Sequence, residues 1–279
     1  MSSTLKLLSI TTLLASSMFA NANVDKIVTD FQTKRIKANP QVKLDNLSIF
    51  VKKELTNGWY GYVFNIKANV NGQDIEAKDV IFSDGKMITP ELLDINNGRS
   101  FKDALTPNIT SEYYNDKHLI SGNKNAKNKV VIFSDPLCAF CIDYIPEVLK
   151  KAEKNKDIAV YYYHFPLLRI HPAADVVTRA MIVAKNKGVK EVEKKIYEAN
   201  LLNEISTKEP DENVILKAVN KVLKTSITMA DIEDKKVLAE ADKDIAMSEN
   251  MMVQGTPTLY VNGQMDRTRQ LFERLSPTD

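Results

Sequence analysis

The sequence contains very little cysteine, and this scarcity limits the chemistry open to it. Only Cys138 and Cys141 occur among 279 residues, with two positions between them. A framework of structural disulfides is therefore excluded. A tetrahedral zinc site would need further ligands, and the three histidines, His118, His164 and His171, do not stand in ligand spacing. We predict no metal site.

The sequence also lacks an excess of either charge and a long apolar segment after its N-terminus. Lysine and arginine number 38 against 36 acidic residues, so the formal net charge is only +2. Basic and acidic residues alternate, which argues against a nucleic-acid partner. No later apolar run reaches the ~20 residues of a membrane-spanning helix. The composition, 44% hydrophobic, predicts a soluble globular protein long enough for two domains.

The first 22 residues have the pattern of an export signal. Lys6 precedes an apolar run over residues 7–19, and Ala20-Asn21-Ala22 forms a small-x-small cleavage site. The run is shorter than a membrane span and is interrupted by serines and threonines, although an uncleaved anchor stays open as the alternative. We predict a signal peptide over residues 1–22, cleaved near Ala22, and export to an oxidising compartment.

Residues 23–110 are predicted to form a small α+β domain. Apolar residues have helical spacing over 23–37, and alternating residues over 60–70 and 73–83 flank Asn71-Gly72, which favours a tight hairpin. Such a sheet has free edges, which either pair with a second copy or are covered by a loop. Homodimerisation through this domain is therefore one of two alternatives.

A second domain is predicted over residues 129–279, after a polar linker at 111–128. It opens with the continuous apolar run 130–133, which is typical of a strand buried on both faces, and this strand leads into the cysteine motif. A helix, a strand, a helical insertion at about 170–250, and a final strand and helix follow. The predicted fold class is α/β, preceded by the smaller α+β domain.

The spacing of Cys138 and Cys141 indicates redox chemistry. At the start of a helix the two side chains lie one turn apart and can form a disulfide without backbone movement. The free amides at the helix N-terminus stabilise a thiolate on Cys138, whereas Cys141 lies deeper. We predict that Cys138 forms mixed disulfides, that Cys141 resolves them, and that this redox-active disulfide needs no cofactor. Covalent haem attachment is excluded by Ile142 after the motif, while a static local disulfide is the alternative.

These residues resemble the thioredoxin superfamily. The motif follows the first buried strand, and Pro146 stands where the active-site helix of that superfamily commonly bends. Gly255-Thr256-Pro257-Thr258-Leu259 resembles its cis-proline loop. The resemblance covers residues 129–279 and implies a thioredoxin-like fold with a helical insertion.

The resemblance narrows to the DsbC/DsbG group of dimeric periplasmic disulfide isomerases. It rests there on Phe133-Ser134-Asp135, on Thr256, on the export signal and on the added N-terminal domain. By this resemblance Thr256 and Pro257, in cis, lie against Cys138, and they bind substrate together with Ala139 and Phe140. Ile132, six residues before Cys138, departs from thioredoxin, which has a buried carboxylate for proton transfer at that position.

The predicted function is a periplasmic disulfide isomerase or reductase that acts on cysteine-containing exported proteins as a homodimer. A DsbD-like membrane reductant would then reset the dithiol. One alternative is a DsbA-like oxidase, reset by a DsbB-like membrane oxidant, although Ala139-Phe140 lacks the histidine of the strongly oxidising enzymes. Another is a periplasmic chaperone or binding protein whose redox pair is secondary.

Overall fold

A computed structural model describes residues 24–275 of the chain, so the predicted signal segment lies outside the described residues. The chain divides into two compact units, with the division between Thr106 and Pro107.

The first unit packs one helix against an antiparallel sheet. Helix α1 covers residues 24–37. The sheet has the order β1-β2-β3-β4, with strands at Val42–Glu54, Tyr60–Val70, Gln73–Ser83 and Ile88–Thr89. Asn71 and Gly72 both have positive φ, at 53° and 87°, and close the β2–β3 hairpin. The core of this unit comprises Val28 of α1 and Tyr62, Phe64 and Ile81 of the sheet.

The second unit is built on a mixed sheet of the order β5-β7-β6-β8-β9. Its strands are β5 Leu119–Ser121, β6 Asn128–Ser134, β7 Ile158–His164, β8 Thr258–Val261 and β9 Gln264–Met265. Its helices are α2 Ala139–Lys154, α3 Ala174–Asn186, α4 Val192–Ala199, α5 Glu212–Leu223, α6 Met229–Ile232, α7 Lys235–Asn250 and α8 Gln270–Glu273.

The order of these elements gives the second unit its fold. Strands β6 and β7 are parallel and are joined through α2, while β8 runs antiparallel to β6 on its other side. Helices α3 to α7 are inserted between β7 and β8, and they form a core of their own around α3, α5 and α7. This is the thioredoxin-like topology with a helical insertion, so the predicted fold class is confirmed.

The structure corrects the predicted linker at 111–128. Tyr113 is buried and packs against Phe133, and β5 pairs antiparallel with β7. At Gly122, which has a φ of 80°, a Cβ would lie 1.9 Å from the carbonyl oxygen of Ile158, so this position needs glycine. The segment is therefore an integral part of the second unit. Its apolar stretches are short and lie among polar residues, so the sequence pattern did not distinguish the segment from a linker.

Candidate active site

Cys138 and Cys141 lie at the junction between β6 and α2. Cys138 caps the helix with non-helical backbone angles, φ −78° and ψ 120°. Its carbonyl oxygen accepts hydrogen bonds from the backbone N–H groups of Cys141 and Ile142, both at 2.9 Å. Both residues are free thiols, and Cys138 retains 5% exposure while Cys141 has none. Substrate can therefore reach the first sulfur only.

The two thiols differ in acidity. Hydrogen bonding with Cys141 lowers the pKa of Cys138 to about 5 against the opposing effect of burial, with smaller contributions from Thr256 and from the backbone N–H groups of Cys141 and Phe140. Burial raises the pKa of Cys141 far above its ordinary value, and the hydrogen bond and charge of Cys138 raise it further. At neutral pH one sulfur is a thiolate, the nucleophilic form of cysteine, and the other keeps its proton.

The loop before β8 lies against Cys138. Strand β8 runs antiparallel to β6 with Thr258 opposite Phe133, so the residues that precede β8 meet the end of β6. The Thr256–Pro257 peptide bond is cis. The Cys138 sulfur lies 3.5 Å from the carbonyl oxygen of Thr256, although 118 residues separate them along the chain. The structure thus brings together the motif and the loop that the family resemblance paired.

The two residues between the cysteines face outward. Ala139 is exposed, and the Phe140 side chain is 70% exposed although it belongs to the first turn of α2. A large apolar group left in solvent beside a thiolate is free to contact an incoming chain. Ala139 and Phe140 therefore flank Cys138 on one side, and Thr256 lies on another.

The sequence analysis assigned no role to a buried carboxylate beside the motif, that of Asp135. Asp135 has no exposure, and its Oδ1 accepts the backbone N–H of Leu137 at 2.7 Å. Its Oδ2 accepts the backbone N–H of Leu167 at 2.7 Å and lies 2.9 Å from Nδ1 of His171. Asp135 therefore holds the turn before Cys138 to the loop that follows β7. The resemblance drew attention to Asp135, but no sequence signal gave its partners.

Three hydroxyl groups lie behind Cys141 in the interior. The Ser134 hydroxyl is 2.7 Å from that of Tyr197, which is 2.7 Å from that of Tyr162. All three residues are at most 1% exposed. A hydrogen bond from the Ser134 side chain also favours the thiolate of Cys141 and works against the rise in its pKa. The buried thiol thus has a polar neighbour in Ser134, within a core cluster that is mainly apolar.

The histidines are distributed over two separate polar clusters. His171 contacts Asp135, whereas His118 Nε2 lies 2.8 Å from Asp244 Oδ1, and the His164 backbone N–H donates to Asp244 Oδ2. Within residues 24–275 no group of three or more His, Cys, Asp or Glu side chains is arranged to hold a metal ion. None of the described helices is long and apolar enough to span a membrane.

The fold and the site define a class of protein. A Cys-x-x-Cys dithiol at the start of the helix after the first sheet-centre strand, with its outer sulfur against the loop before β8, is the arrangement found in thiol–disulfide oxidoreductases. Residues 114–277, more than half of the chain, match the thioredoxin family model, Thioredoxin_4. The chain belongs to this family.

Several solved structures are similar to part of the chain. The thioredoxin-like oxidoreductase from Silicibacter pomeroyi DSS-3 is 21% identical over 56% of this chain and 87% of that chain, with a TM-score of 0.45. The catalytic domain of Proteus mirabilis ScsC is 20% identical over 56% and 84%, with a TM-score of 0.43. Oxidised BdbD from Bacillus subtilis is 19% identical over 58% and 88%, with a TM-score of 0.46. No curated protein matches the chain.

Proposed function

We propose that this protein is an exported disulfide isomerase or reductase that acts on cysteine-containing exported proteins. The asymmetry of the dithiol carries the proposal of thiol–disulfide exchange, and Ala139-Phe140, which lacks the histidine of the strongly oxidising enzymes, favours the isomerase or reductase. Cys138 retains 5% exposure and has a pKa of about 5, while Cys141 is fully buried and protonated. This division suits an outer nucleophile and an inner resolving thiol.

The proposed reaction uses only the two sulfurs of the chain. The Cys138 thiolate attacks one sulfur of a client disulfide, the client S–S bond breaks, and the departing client thiolate takes a proton. Cys141 then attacks Cys138, releases the second client sulfur and leaves a Cys138–Cys141 disulfide. In isomerisation, a client thiolate attacks the mixed disulfide instead and returns Cys138 unchanged. The dithiol supplies both electrons, so no cofactor is needed.

The client is proposed to bind across the exposed groups around Cys138. Phe140, together with Ala139, would contact apolar side chains of an unfolded segment. The backbone next to Pro257 would pair with an extended chain, as at a sheet edge, and hold it beside the nucleophile. The close approach of Thr256 to the Cys138 sulfur, at 3.5 Å, supports this placement.

The first unit is proposed to mediate homodimerisation. Its β1 strand is 13 residues long and lies at one edge of the sheet order. On α1, Ile27 and Phe31 are 47% and 46% exposed, which is unusual for large apolar side chains four positions apart on one helix face. A second copy of the chain would cover such groups, and two facing dithiols would flank a shared client.

The oxidase is the second candidate, and the low pKa of Cys138 favours it. Stabilising the thiolate stabilises the reduced dithiol, which makes the disulfide form a stronger oxidant. A DsbB-like membrane oxidant would then regenerate it, in place of the DsbD-like reductant of the isomerase.

Trapping free thiols in cells with a mass-shifting alkylator distinguishes the two candidates. An isomerase or reductase is expected to keep Cys138 and Cys141 mainly reduced in its own compartment, and a mainly oxidised pair would support the oxidase. Fractionation of the same cells tests the proposed export, since a protein retained with the cytosol would contradict both candidates.

A further inference from the structure

Two turns leave the same edge of the second sheet, and one of them carries the nucleophile. Strands β6 and β7 are parallel and in register, with Ser134 opposite His164. The chain after β6 leads to Cys138, and the chain after β7 leads to α3 through residues 165–173, called here the β7 loop. Because neighbouring parallel strands end at one edge of a sheet, the β7 loop lies at the edge where the dithiol reacts.

Backbone contacts fix the β7 loop against the motif. The Phe165 N–H donates to the Ser134 carbonyl oxygen at 2.9 Å, and the Leu167 N–H donates to Oδ2 of Asp135 at 2.7 Å. The Cys138 N–H donates to the Asp135 carbonyl oxygen at 3.2 Å. Asp135 therefore contacts the β7 loop with its side chain and the nucleophile with its backbone. A client joined to Cys138 lies next to the residues that follow Leu167.

The tip of the β7 loop is a hydrogen-bonded turn. The N–H groups of Ile170 and His171 donate to the Leu167 carbonyl oxygen, at 2.9 and 2.8 Å. The end of the loop is held by the Ala173 N–H, which donates to the Thr207 carbonyl oxygen at 3.1 Å. Side chains at the tip are thus presented from an ordered backbone, which lowers the entropy cost of binding a partner.

Exposed apolar side chains are concentrated at this edge of the second unit. Among residues 107–275 five large apolar side chains are exposed, and three of them, Phe140, Leu168 and Ile170, belong to the first turn of α2 or to the β7 loop. Leu168 and Ile170 are 43% and 50% exposed and flank Arg169 in the sequence. Apolar groups gathered beside a reactive group indicate a surface that binds another chain.

Arg169 stands between the two apolar residues and has no partner of its own. Its side chain is exposed, and it forms no ion pair, hydrogen bond or ring contact with any residue in the described part of the chain. Arg179, by contrast, contacts Asp175 at 2.8 Å. A guanidinium presents its N–H donors in a planar fork that matches a carboxylate. The cation at the tip of the β7 loop can therefore take its negative partner from an incoming chain.

We propose that Arg169 is a specificity-determining residue that binds a carboxylate of the client, while Leu168 and Ile170 contact apolar side chains beside that carboxylate. The inference rests on the proposed function, because a client held at Cys138 is what brings such side chains to the β7 loop. The preferred clients are exported chains in which acidic and apolar residues neighbour the reactive cysteine. Charge complementarity of this kind selects among partners and speeds their encounter more than it raises affinity.

Peptide disulfides that differ only in the residues beside one cysteine measure this preference. The cysteine is joined to thionitrobenzoate and is flanked on both sides by aspartate, asparagine or lysine. The Cys138 thiolate attacks the peptide sulfur, the bond to thionitrobenzoate breaks, and the coloured anion leaves with the electron pair. The ratio of the rates for the aspartate and asparagine peptides is compared between the reduced full chain and its variants, so that the intrinsic reactivity of each peptide cancels.

Arg169→Gln is expected to lower the aspartate-to-asparagine ratio about threefold, because the variant loses the charge of an exposed ion pair. Arg169→Glu should lower it about tenfold and should raise the rate for the lysine peptide relative to asparagine. The rate for the asparagine peptide should stay within about twofold of wild type in both variants, whereas a structural effect would slow all three peptides alike. Added salt should reduce the wild-type ratio.

Lys156→Gln is the matched control. Lys156 is exposed and stands between α2 and β7, at the opposite edge of the sheet from the β7 loop. Its substitution removes the same charge from the protein and should leave the ratio unchanged. An equal fall of the ratio in Lys156→Gln would assign the preference to the net charge of the protein and would overturn the inference.

The double variant Leu168→Ser/Ile170→Ser tests the apolar contacts. With aspartate kept beside the cysteine, the next residues of the peptide are leucine in one version and serine in another. The variant is expected to lower the leucine-to-serine rate ratio about fivefold. An unchanged ratio here, or an aspartate preference that survives in Arg169→Gln, would refute the inference. A wild-type chain that releases thionitrobenzoate from none of the peptides would instead refute the proposed function.

Discussion

The carboxylate of Asp135 lies 2.9 Å from Nδ1 of His171, 36 residues further along the chain, and has no exposure to solvent. The same carboxylate accepts the backbone N–H groups of Leu137 and Leu167. The turn that presents Cys138 is thereby fixed to the loop after β7. Cys138 is therefore positioned by this link as well as by its place at the N-terminus of α2.

Replacing Asp135 should destabilise the second unit and displace the motif. Asp135→Ala leaves the backbone N–H groups of Leu137 and Leu167 and the His171 ring without their acceptor, which is expected to cost about 3 kcal/mol in the free energy of unfolding. Urea unfolding of the full chain measures this loss. Asp143→Ala, at an exposed position on α2, is the control and should change the free energy of unfolding by less than about 0.5 kcal/mol. Equal losses in the free energy of unfolding for the two variants would show that the contacts of Asp135 do not stabilise the second unit.

Cys138→Ser should abolish disulfide reduction. A serine hydroxyl is not ionised at neutral pH, so the variant has no outer nucleophile, and Cys141 is too buried and too weakly acidic to replace it. Insulin reduction in the presence of dithiothreitol measures the loss, which should exceed about a hundredfold over the enzyme-dependent rate. Retention of activity in this variant would show that the nucleophile lies elsewhere.

Cys141→Ala should trap clients. The first attack by Cys138 still takes place, but no inner thiol remains to break the mixed disulfide. Non-reducing gels of cells that express this variant are expected to show covalent adducts that disappear on reduction. The double variant Cys138→Ser/Cys141→Ala is the control and should give none. If Cys141→Ala yields no adducts while wild type remains active, Cys141 is not the resolving residue.

The reactivity of Cys138 should follow an acidic pKa. The folded pKa, about 5, lies below the ordinary value of 9.0, so the thiolate is lost only as the pH falls through about 5. The same lowering of the pKa stabilises the folded, reduced form. This contribution is complete above pH 9 and is lost as the pH falls towards 5. Rates of alkylation between pH 4 and 9 give the midpoint.

The Cys141→Ala variant tests the cause of this shift. Hydrogen bonding with Cys141 is the largest influence that lowers the Cys138 pKa, so its removal should move the alkylation midpoint to higher pH. A midpoint that stays in place would assign the shift to Thr256 and to the backbone N–H groups at the start of α2 instead.

The sequence was informative where a short segment determines its own structure. The apolar run before the motif, the Asn71-Gly72 turn and the cysteine spacing predicted β6, the β2–β3 hairpin and the position of the thiols at a helix start. Each of these depends on local periodicity or on the conformational preference of one or two residues.

The sequence was least informative where partners lie far apart along the chain. Strand β5 is only three residues long and is stabilised by β7, so residues 111–128 had the polarity of a linker. The partners of Asp135 come from a loop that only the folded chain brings to the motif. The hydroxyl groups of Ser134, Tyr162 and Tyr197 belong to three different elements, and nothing in the sequence indicated that they meet.

Disrupting the apolar face of α1 should convert a dimer into monomers. Ile27 and Phe31 are each nearly half exposed in the isolated chain, and burying them against a second copy would favour association. The double variant Ile27→Asp/Phe31→Asp places charges there and should weaken self-association by at least about tenfold, as measured by sedimentation equilibrium. Lys26→Gln, an exposed change on a different face of the same helix, is the control and should retain the dimer. A wild-type chain that sediments as a monomer at micromolar concentration would contradict the proposed role of the first unit, and activity of that monomer would show that the dithiol works without a partner.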